Sequence, residues 1–409
     1  MSYNILLRPT LFVAAMVLFA LASAATEPKA ERSDLTWSAA TGLGYDSNAF
    51  QAPSVPYYDY YAGKLLALPP ASTPLVTPQR KSGFFVPYEI KAELAKIRDR
   101  DSRLLGSAAA DGSLYLGGLS NANEYNIRLQ GGIENVMARE GKSEDTLYAG
   151  ALFGKHRQVY VDHDSGTSKS TTISGTDISG RYNYMRFGVE AKYKHRTGGF
   201  AYGFIGQYIL NDYEDPIIVS QQDHNYYRLG ADASIKVAKP TRLELSFDHS
   251  ARDYSNRHAL DAQGNYSSVN NPLLNYKYNS FGATLRNRMS EGWLLYLDYD
   301  RNTRTDNFAG YGDYKLNRYG ARLLYAQGAL KTRLAFHHWT RDYPNAFAFD
   351  VVGQPAKTYS GNLLKLKAEL EQTKNTSLWT ELVYKAQSTT DLRYDYIRNQ
   401  IMAGMSWAY

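Results

Sequence analysis

The 409-residue chain contains no cysteine. That excludes disulfides, Cys-ligated zinc, iron–sulfur clusters and thiol nucleophiles together. Beyond residue 24 no stretch approaches 18 consecutive apolar residues, so no transmembrane helix is expected. Charge of one sign is also in short supply: 46 basic against 40 acidic side chains leave +6 over the whole chain. A nucleic-acid binder carries a denser basic stripe, so no nucleic-acid partner is expected. Neither His-Glu-x-x-His nor Gly-x-Ser-x-Gly occurs. The histidine settings that stand out are Asp162-His163-Asp164 and His337-His338, and neither has a matching serine or metal-ligand spacing. Asp162 and Asp164 alone fall short of the roughly 6 to 8 oxygens that Ca²⁺ takes. No enzyme, metal or cofactor is therefore expected.

Tyrosine is abundant, at 35 residues against 15 phenylalanines and 5 tryptophans. At the N-terminus, Arg8 precedes the apolar run Leu11 to Ala22, and Ala22-Ser23-Ala24 supplies the small residues that signal peptidase reads. Twelve apolar residues are too few to span a bilayer as a helix. Residues 1–24 read as a cleaved signal peptide, 25–33 as a short periplasmic segment, and 34–409 as one domain.

That domain reads with period two. Phe187, Val189, Ala191 and Tyr193 share one face, against Arg186, Gly188, Glu190, Lys192 and Lys194 on the other. The same split recurs at Leu229 to Val237 and at Leu364 to Leu370. Prolines sit almost wholly between such segments, as a hydrogen-bonded ladder requires. Sixteen strands are placed at 34–46, 83–98, 103–116, 123–138, 145–160, 179–195, 199–212, 223–238, 241–254, 275–288, 292–304, 316–326, 329–342, 359–373, 377–388 and 395–409. Connections after odd strands are long and polar, notably 47–82, 161–178, 255–274 and 343–358. Those after even strands are tight, such as Thr197-Gly198 and Lys239-Pro240.

The apolar face decides the fold class. With no linker-like break to mark a second layer, that face is expected to meet lipid. In lipid every backbone group must be paired, so the sheet must close. The expectation is an all-β, closed antiparallel transmembrane barrel of about 16 strands, with long extracellular loops and short periplasmic turns. Aromatic girdles at both interfaces would then explain the tyrosines, with candidates at Tyr45, Tyr88, Tyr125, Tyr193, Tyr227, Tyr299, Tyr325 and Tyr384.

At the C-terminus Ile401, Ala403, Met405, Trp407 and Tyr409 alternate with smaller or polar residues. Gly404-x-x-Trp407-x-Tyr409 resembles the signal of outer-membrane barrel proteins that the barrel assembly machinery reads, with Ala403 where a polar residue is usual. Gly44-Tyr45-Asp46-Ser47-Asn48-Ala49-Phe50 resembles the stretch ending the first strand in several families of Gram-negative barrel porins. Similar openings occur in the barrel domains of exopolysaccharide exporters and surface lipoprotein assembly modifiers. Those two usually carry helical repeats upstream, which about ten residues leave no room for here. Read without the resemblance, Asp46-Ser47-Asn48 is turn chemistry closing a strand.

With lipid outside, the polar face lines a lumen wide enough for water. Parity turns Arg286, Arg288, Arg318, Arg322, Lys331, Arg333 and Arg341 inward, as a basic wall. Asp298 and Asp300 lie among them, so the alternative is a self-neutralising ladder of ion pairs. Inward Trp339 and Trp379 either stack on sugar rings or simply pack. Loops 47–82 and 161–178 either lie on the surface or narrow the mouth. The resulting expectation is a porin-like outer-membrane channel in a Gram-negative bacterium, passing hydrophilic, anionic or sugar-like solutes. Its partners would be outer-membrane lipid, the assembly machinery, and a hydrophilic solute or polysaccharide. The rival readings are an exopolysaccharide-export or surface-assembly barrel with periplasmic partners, and a non-conducting structural or adhesive barrel. Oligomeric state is not legible, because a subunit interface would look like lipid-facing surface.

Overall fold

The computed structural model describes residues 33–67, 69, 72–166, 168, 177–217 and 221–409. The expected signal segment, and the segment after it up to residue 32, lie outside the described residues. Sixteen strands form the barrel: β1 (Ser33–Asp46), β2 (Gly83–Ile97), β3 (Ser102–Tyr115), β4 (Glu124–Glu140), β5 (Ser143–Gln158), β6 (Tyr184–Thr197), β7 (Phe200–Tyr213), β8 (His224–Ala238), β9 (Thr241–His258), β10 (Leu273–Ser290), β11 (Trp293–Asp306), β12 (Tyr314–Gln327), β13 (Leu330–Phe347), β14 (Ala356–Thr373), β15 (Thr376–Thr389) and β16 (Tyr396–Ala408). Each pairs antiparallel with its sequence neighbours, and β1 also pairs with β16, so the sheet closes. Closure leaves no strand edge without partners, which is what a bilayer requires.

The alternation fixes the two faces. Outward stand exposed apolar side chains such as Leu43, Phe204, Leu229, Phe247, Leu366 and Ile401. Residues one position away, including Asp46, Tyr148, Glu190, Ser250 and Trp379, are buried inside the barrel. The eight expected girdle tyrosines all fall on the outward parity, as the pairings Tyr45 with Phe84, Tyr299 with Tyr319 and Leu364 with Tyr384 illustrate.

One end of the barrel carries tight turns. Gly292 and Gly328 there take positive φ, +80° and +57°, the backbone that joins strands in two-residue hairpins. The other end carries the long connections. Strand β6 starts at Tyr184 rather than at 179, because 179–183 is drawn into a turn. Asn183 there accepts from the Gln158 backbone N–H and donates to Glu214. Strands β9 and β13 run four and five residues further toward the loop end than their alternation suggested, beyond register breaks after Asp253 and Asp342.

Candidate functional site

The candidate site is the lumen together with its covered mouth. At the seam between β1 and β16, Asp46 and Asn48 are fully buried. Asp46 accepts from the Asn48 backbone N–H through one carboxylate oxygen, and from Tyr115 and Gln400 through the other. Asn48 accepts from the Ala52 N–H and donates to the carbonyls of Ala52 and Ile397. Turn chemistry is thus present, and it also ties the first mouth loop, 47–82, to the last strand.

From this anchor the loop crosses the mouth. Its helix α1 (Tyr60–Leu65) is capped by Asp59, which accepts from the Ala62 N–H at 3.0 Å. The flanking pairs Tyr57–Tyr58 and Leu75–Val76 form a small ladder. The Tyr57 hydroxyl donates to Asp164 in the β5–β6 loop at 2.8 Å. Tyr57 and Tyr60 pack on Phe349 in the β13–β14 loop. Lys64 reaches Asn265 in the β9–β10 loop and the Asp350 carbonyl. One segment therefore bridges loops from well-separated parts of the rim. Under it, Arg393 donates to Asp391 and Asp350, and Lys357 pairs with Asp350 at 2.7 Å. The Asp350 carboxyl feels burial, which works against its charge. Lys357 and Arg393 outweigh that and hold it below the ordinary carboxylate value. Phe349 and Asp350 both take positive φ, +58° and +56°, a conformation costly for side chains with a Cβ and held here by these contacts.

Down the wall the charges are sorted. Arg318 pairs with Asp300 at 2.7 Å and Arg322 with Asp298 at 2.9 Å, while Lys331 pairs with Glu371. This sector, β11 and β12 with the turn end of β13, is the self-neutralising ladder. Arg286 lies over the Tyr296 ring, and Arg288 is exposed at the turn end of β10. Arg333 faces Lys367 directly across β13 and β14, Lys365 stands beside them, and none of the three makes an ion pair among the described residues. The ion pairs thus occupy one sector, and the other groups three cations with Glu381 across from Lys367. Trp339 lies over Gly361 and Trp379 over Gly404, where an added Cβ would strike the indole rings. These tryptophans pack on the wall. Gly404 therefore has a packing role as well as its place in the C-terminal pattern, where Tyr409 stacks on Trp37 at 4.8 Å and Trp407 pairs with Ala39.

The sequence reading assigned the tyrosine excess to the lipid interfaces, and the structure corrects this. A second aromatic belt faces inward at the loop-side ends of the strands. His156 of β5 stacks on Tyr184 of β6 at 5.1 Å, and Tyr184 contacts Tyr213 of β7 at 5.0 Å. The path continues through His224 of β8 at 5.9 Å, Tyr254 of β9 at 5.1 Å and Tyr276 of β10 at 6.0 Å. On β11 a guanidinium takes the place of a ring: Arg304 lies 4.2 Å from the Tyr276 centroid and 4.6 Å from that of Tyr314 on β12. Tyr314 meets Tyr343 of β13 at 5.6 Å, Tyr343 meets Tyr359 of β14 at 5.9 Å, and Tyr359 meets Tyr394 at 6.3 Å. The signal was available, since each of these residues sits on the polar parity near a strand end. Arg341, expected on the wall, joins this collar over Tyr314 at 5.1 Å.

A lumenal cavity of about 710 Å³ opens against the β6–β9 part of the collar, with Tyr184, Tyr213, His224, Arg186, Arg228 and Arg252 in its lining. The pleat puts His337 inward and His338 outward against Asn362, so the two cannot act on one bound group. Among the described residues no group of three His, Cys, Asp or Glu side chains is placed to hold a metal ion.

No family model matches the chain, and no curated protein matches it in sequence. Solved structures do match in fold. The outer-membrane channel DcaP of Acinetobacter baumannii is 11% identical, with 94% of this chain and 99% of that one covered and a TM-score of 0.50. Salmonella typhi OmpF, in complex with daunomycin, is 13% identical over 92% and 97%, with a TM-score of 0.49. An anion-selective porin from Comamonas acidovorans is 11% identical over 93% and 100%, with a TM-score of 0.46. The chain has the fold of an outer-membrane porin-type barrel.

Proposed function

We propose that this chain is an outer-membrane channel for hydrophilic solutes whose mouth is covered by loop 47–82. The observation that carries this reading is a closed barrel with an apolar outside and a charged, cavity-bearing inside. The loop end faces the outside of the cell and the tight turns face the periplasm, as is general for such barrels. Passage is by size and charge, without covalent chemistry: paired sectors of the wall are neutral, and the Arg333, Lys365 and Lys367 sector favours anions. Residues 1–24 direct export, and Gly404, Trp407 and Tyr409 present the assembly signal. The covered mouth favours a gated channel over a permanently open one.

The test is planar-bilayer conductance of the refolded mature chain and of a variant with residues 59–74 replaced by Asn-Gly. Tyr58 already pairs with Leu75, so a two-residue hairpin joins the cut ends. Intermittent current from the parent and steady current from the variant are expected. No current from either, with both correctly folded, would make the barrel structural and overturn the channel.

A further inference from the structure

The collar has chemistry that passage of small ions does not need. Rings on successive strands from β5 to β14, and then Tyr394 in the β15–β16 connection, stand 5.0 to 6.3 Å apart, with Arg304 replacing one of them. A single small solute covers one or two such positions. A chain of rings covers many. Tyrosine offers a flat face to the C–H face of a sugar and a hydroxyl to its oxygens. Three guanidiniums are set into the collar, those of Arg252, Arg304 and Arg341, and none forms an ion pair among the described residues. Arg252 lies 5.1 Å over Tyr278, and the buried Nε atoms of Arg252 and Arg341 have no hydrogen-bond partner. Arg304 donates to the Gly312 carbonyl and acts on the Asp313 carboxylate, whereas Arg252 and Arg341 hold positive charge among the rings with no ion-pair partner among the described residues. The 710 Å³ cavity, lined by Arg252 with Arg186, Arg228, Lys91 and Lys192 against Glu93 and Glu190, lies within the range of roughly 300–1,000 Å³ usual for small-molecule sites.

We propose that the collar and its cavity form a binding site for acidic oligosaccharides, with sugar rings stacked along the tyrosines and carboxylates set against Arg252, Arg304 and Arg341. The inference rests on the channel reading, because the ligand reaches the collar through the lumen. It names the solute class for which the lumen is built.

Isothermal titration of the purified full barrel in detergent tests the site without relying on current. The probes are tri- and hexagalacturonate, with maltohexaose and glutarate as controls. Hexagalacturonate is expected to bind at least tenfold tighter than trigalacturonate, since more rings engage, and at least tenfold tighter than either control. Arg252→Gln and Tyr213→Ala are each expected to weaken it by tenfold or more. The chain-length series on the parent protein keeps the test decisive should a variant fail to fold. Absence of hexagalacturonate binding, equal affinity for the trimer and hexamer, or glutarate binding as tightly as the hexamer would each overturn the site. In bilayers the two readings separate: current without saccharide binding removes the site and leaves the channel, whereas binding without current under any condition removes the channel.

Discussion

Arg398 on the last strand donates to one carboxylate oxygen of Asp46 on the first, through Nε at 2.9 Å and through Nη2 at 2.6 Å. The barrel is therefore closed by a charge pair as well as by a backbone ladder. Asp46 is inaccessible to solvent, and the pair also engages the Tyr115 hydroxyl. Removing one partner leaves the other buried and unmatched, which is the costly way to break such a pair.

Asp46→Asn is thus expected to cost about 3–5 kcal/mol, the range for an orphaned buried charge. Equilibrium unfolding by guanidinium in micelles measures it. A midpoint equal to that of the parent would mean that the seam is held by the ladder alone.

Facing is tested by position. Leu366 is outward in the middle of β14 and pairs with outward Leu334 and Leu382, whereas Ser234 is inward and accepts from Arg242. Leu245 is outward on β9, paired with Ala233. A lysine at Leu366 or Leu245 is expected to lose roughly 2–4 kcal/mol near the bilayer midplane. The same lysine at Ser234, across from Glu244, is expected to be tolerated. Folded yield in lipid vesicles reads the difference, and equal yields for all three would contradict the assigned faces.

The period-two alternation made the strands and both faces readable, because each slip of one residue would turn a whole apolar set inward. It could not show how loop 47–82 folds. That path depends on Tyr57 meeting Asp164 and Phe349, partners 107 and 292 residues away in the chain, and no local pattern encodes them. The inward placement of Arg318 and Arg333 followed from parity alone. Which of them is neutralised did not, since that is set by register: Arg318 lands opposite Asp300, and Arg333 opposite Lys367. The collar lay within reach of the same parity rule. Aromatic residues near strand ends were assigned to the lipid interface as a class, and Tyr184, Tyr254, Tyr314 and Tyr359 are on the other face.

The cover of the mouth should respond to acid. Asp350 is held ionised below the ordinary carboxylate value of about 3.9 by Lys357 and Arg393, against the effect of burial. A carboxyl whose value is lowered by folding stabilises the folded arrangement above its unfolded value, and that contribution fades as pH falls through the folded one. Opening of the mouth should therefore be rare at pH 7 and rise steeply below about pH 4. Asp350→Asn should reproduce part of this opening at pH 7. Conductance traces at both pH values measure it. A flat pH response, together with an Asp350→Asn trace identical to the parent, would leave the cover held by its aromatic contacts alone.

Selectivity separates the two sectors of the wall. Removing Arg318 by itself would uncover Asp300, so single substitutions in the ladder change net charge as much as those in the cationic sector. The informative comparison removes whole units. Arg318→Gln with Asp300→Asn deletes a neutral pair and should leave the reversal potential in a salt gradient unchanged. Arg333→Gln with Lys365→Gln and Lys367→Gln deletes three positive charges against the single carboxylate of Glu381 across from Lys367, and should move the reversal potential toward cation preference. The shift should shrink as salt rises from 0.1 to 1 M, because the screening length falls from about 10 Å to about 3 Å. A shift of equal size in both variants would mean that permeating ions sense single side chains rather than the summed field, and the anion preference of the lumen would then have to come from the arginines of the collar.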